Sequence, residues 1–377
     1  MNILHATERH TRVTAGIAFA VNGIISQTSD AAQNLLTVGD TDIVLPPTTN
    51  HYFSNKSTKS SGPWRYAPGY GQLCERIILD QKIEAVHIHG AWTHPIFAAH
   101  RAAFRLGIPT ILTNHGQFTA WALRQPNMIG AVKKRFYLAL MTDRLFHRVS
   151  LLHAITPLDR ESLHRLFPRS RIEVIPNSID LARLDEGQTP EMVRPANDPY
   201  ALFVGRLHPV KGLILLIEAF GRAKLPANYR LIIVGPEEDP TYATLVRKAI
   251  VESPRASRIE LRGPVWDSAE KYALMRGAWV TVIPSHTEVI SLVNLEASAC
   301  LTPTITTPAT GLFDWEEGGG MLVQPTISSI TEALSISACW SDKERHQRGQ
   351  ASRKLVERRY STDATGPLWM ELYRSLV

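Results

Sequence analysis

Glu288 and Glu296 stand eight positions apart in the run His286-Thr-Glu-Val-Ile-Ser-Leu-Val-Asn-Leu-Glu-Ala297. A carboxylate accepts hydrogen bonds at two oxygens, so such a pair suits the hydroxyls of a sugar ring and a ribose. The preceding stretch, Trp279–Ser285, is apolar and strand-like, and the following one reads as a helix. That order puts Glu288 on a strand-to-helix turn and Glu296 inside the helix, both at the carboxyl end of a parallel strand, where open α/β sheets bind ligands. Glutamates at this spacing also occur on plain exposed helix surface; the flanking strand is what makes this pair a candidate.

A second group is cationic. Gly205-Arg-Leu-His-Pro-Val-Lys-Gly212 follows an apolar strand and precedes a run with helical spacing, Leu213–Phe220. Arg206 and Lys211 thus flank a helix amino terminus, where unpaired N–H groups and the helix dipole already favour an anion. Two cations there suit a diphosphate and its developing charge as a leaving group. Three glycine turns lie at similar strand ends. Gly16, in Thr14-Ala-Gly-Ile17, opens a helix and can admit a phosphate close to the backbone. Gly235 and Pro236 end another strand, and Gly263-Pro-Val265-Trp266 follows a third. No G-x-G-x-x-G dinucleotide fingerprint occurs.

His115 lies at the carboxyl end of the strand Pro109–Asn114, as either a structural donor or a ligand contact. His87 and His89 share one face of a nearby strand, with His94 beyond. Their spacing suits a metal, but no cysteine or carboxylate cluster accompanies them, which favours supporting or acceptor-side roles. Asp40-Thr-Asp42 is a literal D-x-D, read here as a chance triplet and not a metal site. No G-x-S-x-G nucleophile elbow is present.

Elements of two kinds must position these residues. Strand candidates in the first half are Asn2–Ala6, Ile43–Pro46, Ala85–His89, Pro109–Asn114, Leu151–Thr156 and Ile172–Pro176. A second series comprises Tyr200–Val204, Arg230–Val234, Ile259–Leu261, Trp279–Ile283, Thr304–Thr307 and Met321–Val323. Helical runs alternate with them, as in parallel α/β layers. Leu181–Pro199, with three prolines and no periodicity, reads as a linker. The expected division is a first domain over 1–190, a second over 191–355 and a closing helical segment over 356–377.

At 377 residues the chain exceeds one ordinary core, and its 44% apolar and 20% charged content is that of a soluble globular protein. Cys74, Cys300 and Cys339 are scattered and odd in number, which favours a reducing cytoplasm over a disulfide framework. Neither a signal peptide nor a membrane-spanning run is expected. Net charge is +6. Twelve cations between Arg101 and Arg171 (Arg101, Arg105, Arg124, Lys133, Lys134, Arg135, Arg144, Arg148, Arg160, Arg165, Arg169 and Arg171) face only Asp143, Asp159, Glu161 and Glu173. This is either a solvated face or a surface for an anionic membrane or lipid phosphate. No nucleic-acid motif accompanies it.

The E-x7-E element at Glu288–Glu296, the G-R-L-x-x-x-K-G element at Gly205–Gly212, the His115-Gly116 pair and Val174-Ile-Pro-Asn-Ser-Ile-Asp180 resemble, in order and spacing, the retaining glycosyltransferases of family four, the glycosyl transferases group 1. The resemblance covers nearly the whole chain. It implies an α/β GT-B fold, two Rossmann-like domains with parallel sheets facing a central cleft, and a last helix that packs back on the first domain. It further implies hexose transfer from a nucleotide diphosphate sugar, UDP-glucose before a GDP-hexose, to a glycan or lipid-linked glycan acceptor in polysaccharide biosynthesis. By the same resemblance Glu288 holds donor hydroxyls and Glu296 the ribose. Arg206 and Lys211 hold the diphosphate without an obligatory metal, and His115 contacts the donor sugar or its phosphate. Gly16, Gly235, Pro236, Val265, Ser291, Leu292 and Val293 line the donor site. Departures are Ala15 for a second glycine, Val289 and Ile290 after Glu288, and Ser178 for glycine. An epimerase of the same fold and a non-catalytic nucleotide-sugar binder are the alternatives.

Overall fold

Val-, Ile- and Leu-rich runs buried on both faces form parallel strands, because helices cover both sides of such a sheet. In this computed structural model, residues 1–12, 15–54, 64–118, 132, 146–186 and 199–377 are described. Thr14, Arg124, Lys133, Lys134, Arg135, Asp143 and Arg144, named above, lie outside them, as do residues 187–198 of the expected linker. The chain divides into two compact units, Met1–Ser178 with Thr362–Val377, and Ile179–Ser361.

The first unit carries β1 (Asn2–Thr7), β2 (Ala32–Val38), β3 (Asn50–Ser54), β4 (Ala85–His89), β5 (Thr110–Thr113), β6 (Leu151–Ala154) and β7 (Ile172–Val174). They form one parallel sheet in the order β3-β2-β1-β4-β5-β6-β7. Between them run α1 (Ala15–Gln27), α2 (Tyr70–Asp80), α3 (His94–Arg105) and α4 (Pro157–Leu166). Side chains alternate across a strand. Leu4, Ala6, Val86, Ile88 and Leu112 therefore pack with α2 and α3 on one face. Ile3, Ala85, Ile111 and Leu151 pack on the other face with Ile24 of α1 and with Trp369, Met370 and Tyr373 from the end of the chain.

The second unit holds α5 (Leu181–Asp185), β8 (Tyr200–Val204), α6 (Leu213–Arg222), β9 (Arg230–Val234), α7 (Pro240–Glu252), β10 (Ile259–Arg262), α8 (Ser268–Gly277), β11 (Val280–Ile283), α9 (Leu292–Ala299), β12 (Thr304–Thr306), β13 (Met321–Leu322), α10 (Ile327–Ala338) and α11 (Asp342–Arg359). Its parallel sheet has the order β10-β9-β8-β11-β12-β13. The last helix, α12 (Thr362–Arg374), belongs to the first unit.

Several expectations need correction. Ile43–Pro46 forms no strand; the strands of that region are β2 and β3. Gln33 and Asn34 interrupt the apolar run of β2, yet both are buried, Asn34 donating to the Ile3 carbonyl at 3.2 Å. The first compact unit runs to Ser178, and the boundary expected at residue 190 lies outside the described residues. The Ile179 N–H donates to the Tyr360 carbonyl at 2.8 Å, and Arg353 of α11 holds Asp185 of α5 at 2.6 Å. The same contacts keep residues 356–361 in the second unit, so the returning segment starts at Thr362. Among the described residues no helix is long and apolar enough to cross a membrane.

Candidate active site at the switch point of the second sheet

Winding of the second sheet reverses between β8 and β11, so the chain leaves these neighbours toward opposite faces and opens a crevice beyond their carboxyl ends. From β8 the loop runs through a single 3-10 turn, Pro209–Lys211, to Gly212 and α6. From β11 residues 284–291 lead to α9. The two loops are joined where the His286 N–H donates to the Val210 carbonyl at 2.8 Å.

Lys211 Nζ lies 2.9 Å from Glu288 Oε2, and the two side chains are only 16 and 12% exposed. Ser285 Oγ donates to Glu288 Oε1 at 2.5 Å. The Glu288 N–H donates to Ala309 O at 2.8 Å, which fixes the loop against the turn after β12. Gly212 permits this closure: its φ is +65°, and a Cβ there would stand 2.3 Å from the Pro284 carbonyl oxygen. Gly235 serves likewise at the end of β9, where a Cβ would lie 1.8 Å from Gly205 O. The adjoining Pro236 carbonyl accepts the Leu207 N–H at 2.9 Å.

The two cations differ in what holds them. Arg206 pairs with Glu238, and both side chains are about half exposed. Such a pair contributes about 0–1 kcal/mol, so an arriving anion displaces Glu238 at little cost. Lys211 and Glu288 are more enclosed, and removing one strands the other's charge.

Glu296 lies in the second turn of α9, held by Lys271 Nζ of α8 at 2.7 Å. Nothing described brings Glu296 into contact with Glu288. Ser291 occupies the N-cap of α9 without making a cap bond, and its buried Oγ has no partner. The amides of Leu292 and Val293 follow it, with no preceding helical turn to accept them. Val265 is partly covered in the turn after β10, beside exposed Trp266. Ser285, Glu238 and Lys271 were not among the candidate residues. Ser285 sits within three residues of Glu288, a local signal; the other two are joined only by the folded sheet.

Gly16 and His115 belong to the first unit. Gly16 is exposed in the first turn of α1, and open space surrounds the place of a Cβ, so packing does not require glycine there. His115 has a left-handed backbone, φ +49°, followed by Gly116 at +78°. Its Nε2 is 3.1 Å from His89 Nδ1. His94 stands apart, accepting the Ala67 N–H at 3.3 Å. Asp40 and Asp42 follow β2 in a loop, where Asp42 accepts the Arg12 N–H at 2.8 Å.

Two Rossmann-like parallel sheets in two units define the GT-B class of fold. The chain belongs to the glycosyl transferases group 1: residues 187–355 match that family, and residues 41–178 match the glycosyl transferase 4-like domain. It is similar to D-inositol 3-phosphate glycosyltransferases from Xylanimonas cellulosilytica and Kineococcus radiotolerans. Identity is 27 and 29% over 59 and 60% of this chain, and the match spans 56 and 57% of those relatives, a little over half their length. It is 26% identical to an alpha-maltose-1-phosphate synthase from Mycobacterium tuberculosis over 77% of this chain and 79% of that one. Among solved structures it resembles a sucrose-phosphate synthase from Thermosynechococcus elongatus, with a TM-score of 0.77 at 18% identity, covering 100% of this chain and 98% of that one. Anabaena HepE in complex with UDP and glucose gives 0.73 at 16% identity, covering 100% of both chains. At these identities the structural likeness concerns the fold.

Proposed function

We propose that this chain transfers a hexose from a nucleotide diphosphate sugar, UDP-glucose before a GDP-hexose, to a hydroxyl of a glycan or lipid-linked glycan acceptor, with retention of configuration, in polysaccharide biosynthesis. The observation that carries this is the Lys211–Glu288 pair, built from the two loops that diverge at the switch point of the second sheet. The names of the sugar-transferring and sugar-phosphate relatives agree with it. So does the UDP and glucose in the HepE structure.

Arg206 and Lys211 hold the diphosphate, and the positive end of α9 adds the Leu292 and Val293 amides and the Ser291 hydroxyl. Glu288 accepts from donor hydroxyls, Glu296 from the ribose, and the backbone around Val265 meets the base. Within the first unit, the exposed Gly16 at the start of α1 forms a turn open to a phosphate. The departing phosphate oxygen takes the acceptor's proton on the same face, so no side chain serves as a dedicated base. These cations make a metal unnecessary for neutralising the leaving group. We place the reaction in the cytoplasm, with the basic first unit touching the anionic inner face of the membrane.

Nucleotide release from a panel of UDP- and GDP-hexoses, with and without glycan acceptors, separates transfer from epimerisation and from mere binding. Acceptor-dependent release that persists in EDTA is the expected result. Activity lost in chelator, restored by magnesium or manganese and abolished by Asp40→Ala would sink the metal-free mechanism. A second expectation divides the glutamates. Glu288→Gln should impair turnover while free nucleotide diphosphate still binds. Glu296→Ala should weaken the nucleotide itself by roughly tenfold or more, the cost of one hydrogen bond to a charged acceptor. Calorimetric titration of both variants with nucleotide diphosphate checks this; equal losses would mean that the two roles are misassigned.

A further inference from the structure

An unusual row of polar residues crosses the first sheet. On the face covered by α1 and α12 stand Gln33 of β2, His5 of β1, His87 and His89 of β4, Thr113 of β5 and His153 of β6, all buried. Parallel register aligns His5 with His87, and Thr7 with His89.

Hydrogen-bond direction along this row is determined at both ends by backbone carbonyls, which only accept. The Thr28 carbonyl takes Gln33 Nε2–H at 2.7 Å, which turns Gln33 Oε1 toward His5 Nε2 at 3.0 Å. His5 Nε2 must then carry the proton, and its Nδ1 accepts from His89 Nε2–H at 3.0 Å. His89 Nδ1 accepts in turn from His115 Nε2–H at 3.1 Å. From the other end, His153 Nε2–H donates to the Ile175 carbonyl at 2.8 Å, and its Nδ1 accepts from Thr113 Oγ1–H at 2.8 Å. Thr113 Oγ1 accepts from His87 Nε2–H at 2.7 Å, and His87 Nδ1 accepts from the Tyr373 hydroxyl at 2.8 Å.

Two consequences follow. The facing nitrogens of His5, His87 and His89 lie within 4.8 Å of one another, close enough for a three-histidine metal site. Yet each of their lone pairs already receives a proton, so the trio is a closed hydrogen-bonded cluster. At the open end of the first relay, no described residue donates to His115 Nδ1. His115 as a whole is intermediate in exposure. Its left-handed backbone and Gly116 hold it on the loop beyond β5. Burial keeps the rings uncharged, lowering His5 to about 4 and His115 to about 3.

We propose that Gln33, His5 and His89 act as a tautomer lock, holding His115 in its Nε2–H form so that Nδ1 is a neutral acceptor for one hydroxyl of the sugar substrate and repels a phosphate oxygen. The hydroxyl assignment rests on the transferase reading above; the tautomer lock does not. His89, His5 and Gln33 are positioning residues, and His115 is the group that meets the ligand.

Imidazole nitrogen NMR of the ring-labelled whole chain at neutral pH tests the lock without any substrate. His5, His89 and His115 should each show a protonated Nε2 and a bare Nδ1. His89→Leu should leave His115 in a mixture of tautomers. His89→Asn, whose amide oxygen takes the place of Nδ1, should restore the single form. In turnover, deoxyfluoro nucleotide sugars should identify one position where fluorine, which cannot donate, costs the wild type about tenfold or more in kcat/KM. His89→Leu should lose that discrimination and His89→Asn should keep it. A protonated Nδ1 or a cationic His115 in the wild type overturns the proposal, as does stoichiometric zinc binding that His5→Ala removes. An intact lock with no fluorine position discriminated overturns the hydroxyl role. An intact lock with no nucleotide sugar turned over would instead refute the transferase reading and leave the lock standing.

Discussion

Lys211→Ala should lower turnover by roughly 30- to 1,000-fold, the 2–4 kcal/mol that one charge-assisted contact to a leaving group contributes to a transition state. Two losses combine. The diphosphate loses its enclosed cation, and Glu288, bonded to Lys211 Nζ at 2.9 Å, loses the partner that fixes it. Because both residues act through one contact, Lys211→Ala with Glu288→Gln should be scarcely worse than Lys211→Ala alone. Arg206→Ala should have the smaller effect, since its exposed pair with Glu238 leaves the guanidinium less well placed before the ligand arrives. Steady-state kinetics on the three variants, with melting temperatures to verify folding, checks this. Near-normal turnover in Lys211→Ala would remove the diphosphate assignment.

Acid should unfold the first unit before the second. Burial lowers His5 and His153 to about 4 and His115 to about 3, and holds His87 and His89 well below the ordinary 6.5. Below pH 6.5 the unfolded chain binds protons that the folded one refuses. The stability these rings permit is therefore intact above about 6.5 and drains away as pH falls toward their folded values. Each group contributes up to about 1.4 kcal/mol per pH unit. Several such rings titrating together weigh heavily against the small net stability of an ordinary domain. The second unit has no buried histidine among its described residues. Hydrogen exchange read by mass spectrometry between pH 7 and pH 5 resolves the two units. Equal loss of protection in both, or none in the first, would contradict this account.

The second unit was largely legible because its signals are local. Tyr200–Val204, the loop Gly205–Gly212 and the apolar spacing of Leu213–Phe220 lie consecutively, and they form β8, the turn and α6 in that order. Glu288 and Glu296 fell where the Trp279–Ile283 strand required, in the loop and in α9. The first unit was harder. Gln33 looks like a surface residue in a one-dimensional reading, and only His5 and Thr28, brought to it by folding, make its burial tolerable. The partners of Arg206 and Glu296 were hidden for the same reason. Glu238 and Lys271 are 32 and 25 residues away from them, and the sheet order decides that they meet. The boundary at Ile179 depends on Tyr360, at the far end of the second unit.

The last helix gives the first unit an unusual birth order. Trp369 and Tyr373 of α12 seal the sheet face that bears the histidine row, and Tyr373 supplies the hydroxyl that closes one of its relays. Translation makes every residue of the second unit before it makes α12. At synthesis rates of about 5–20 residues per second, the nascent first sheet waits roughly ten to forty seconds with that face uncovered. The second unit has all its strands in one continuous stretch and can finish while the first is still open. An interval of this length is long enough for a chaperone to hold the uncovered face. The late-arriving helix therefore makes the earliest-synthesised strands the last to be completed.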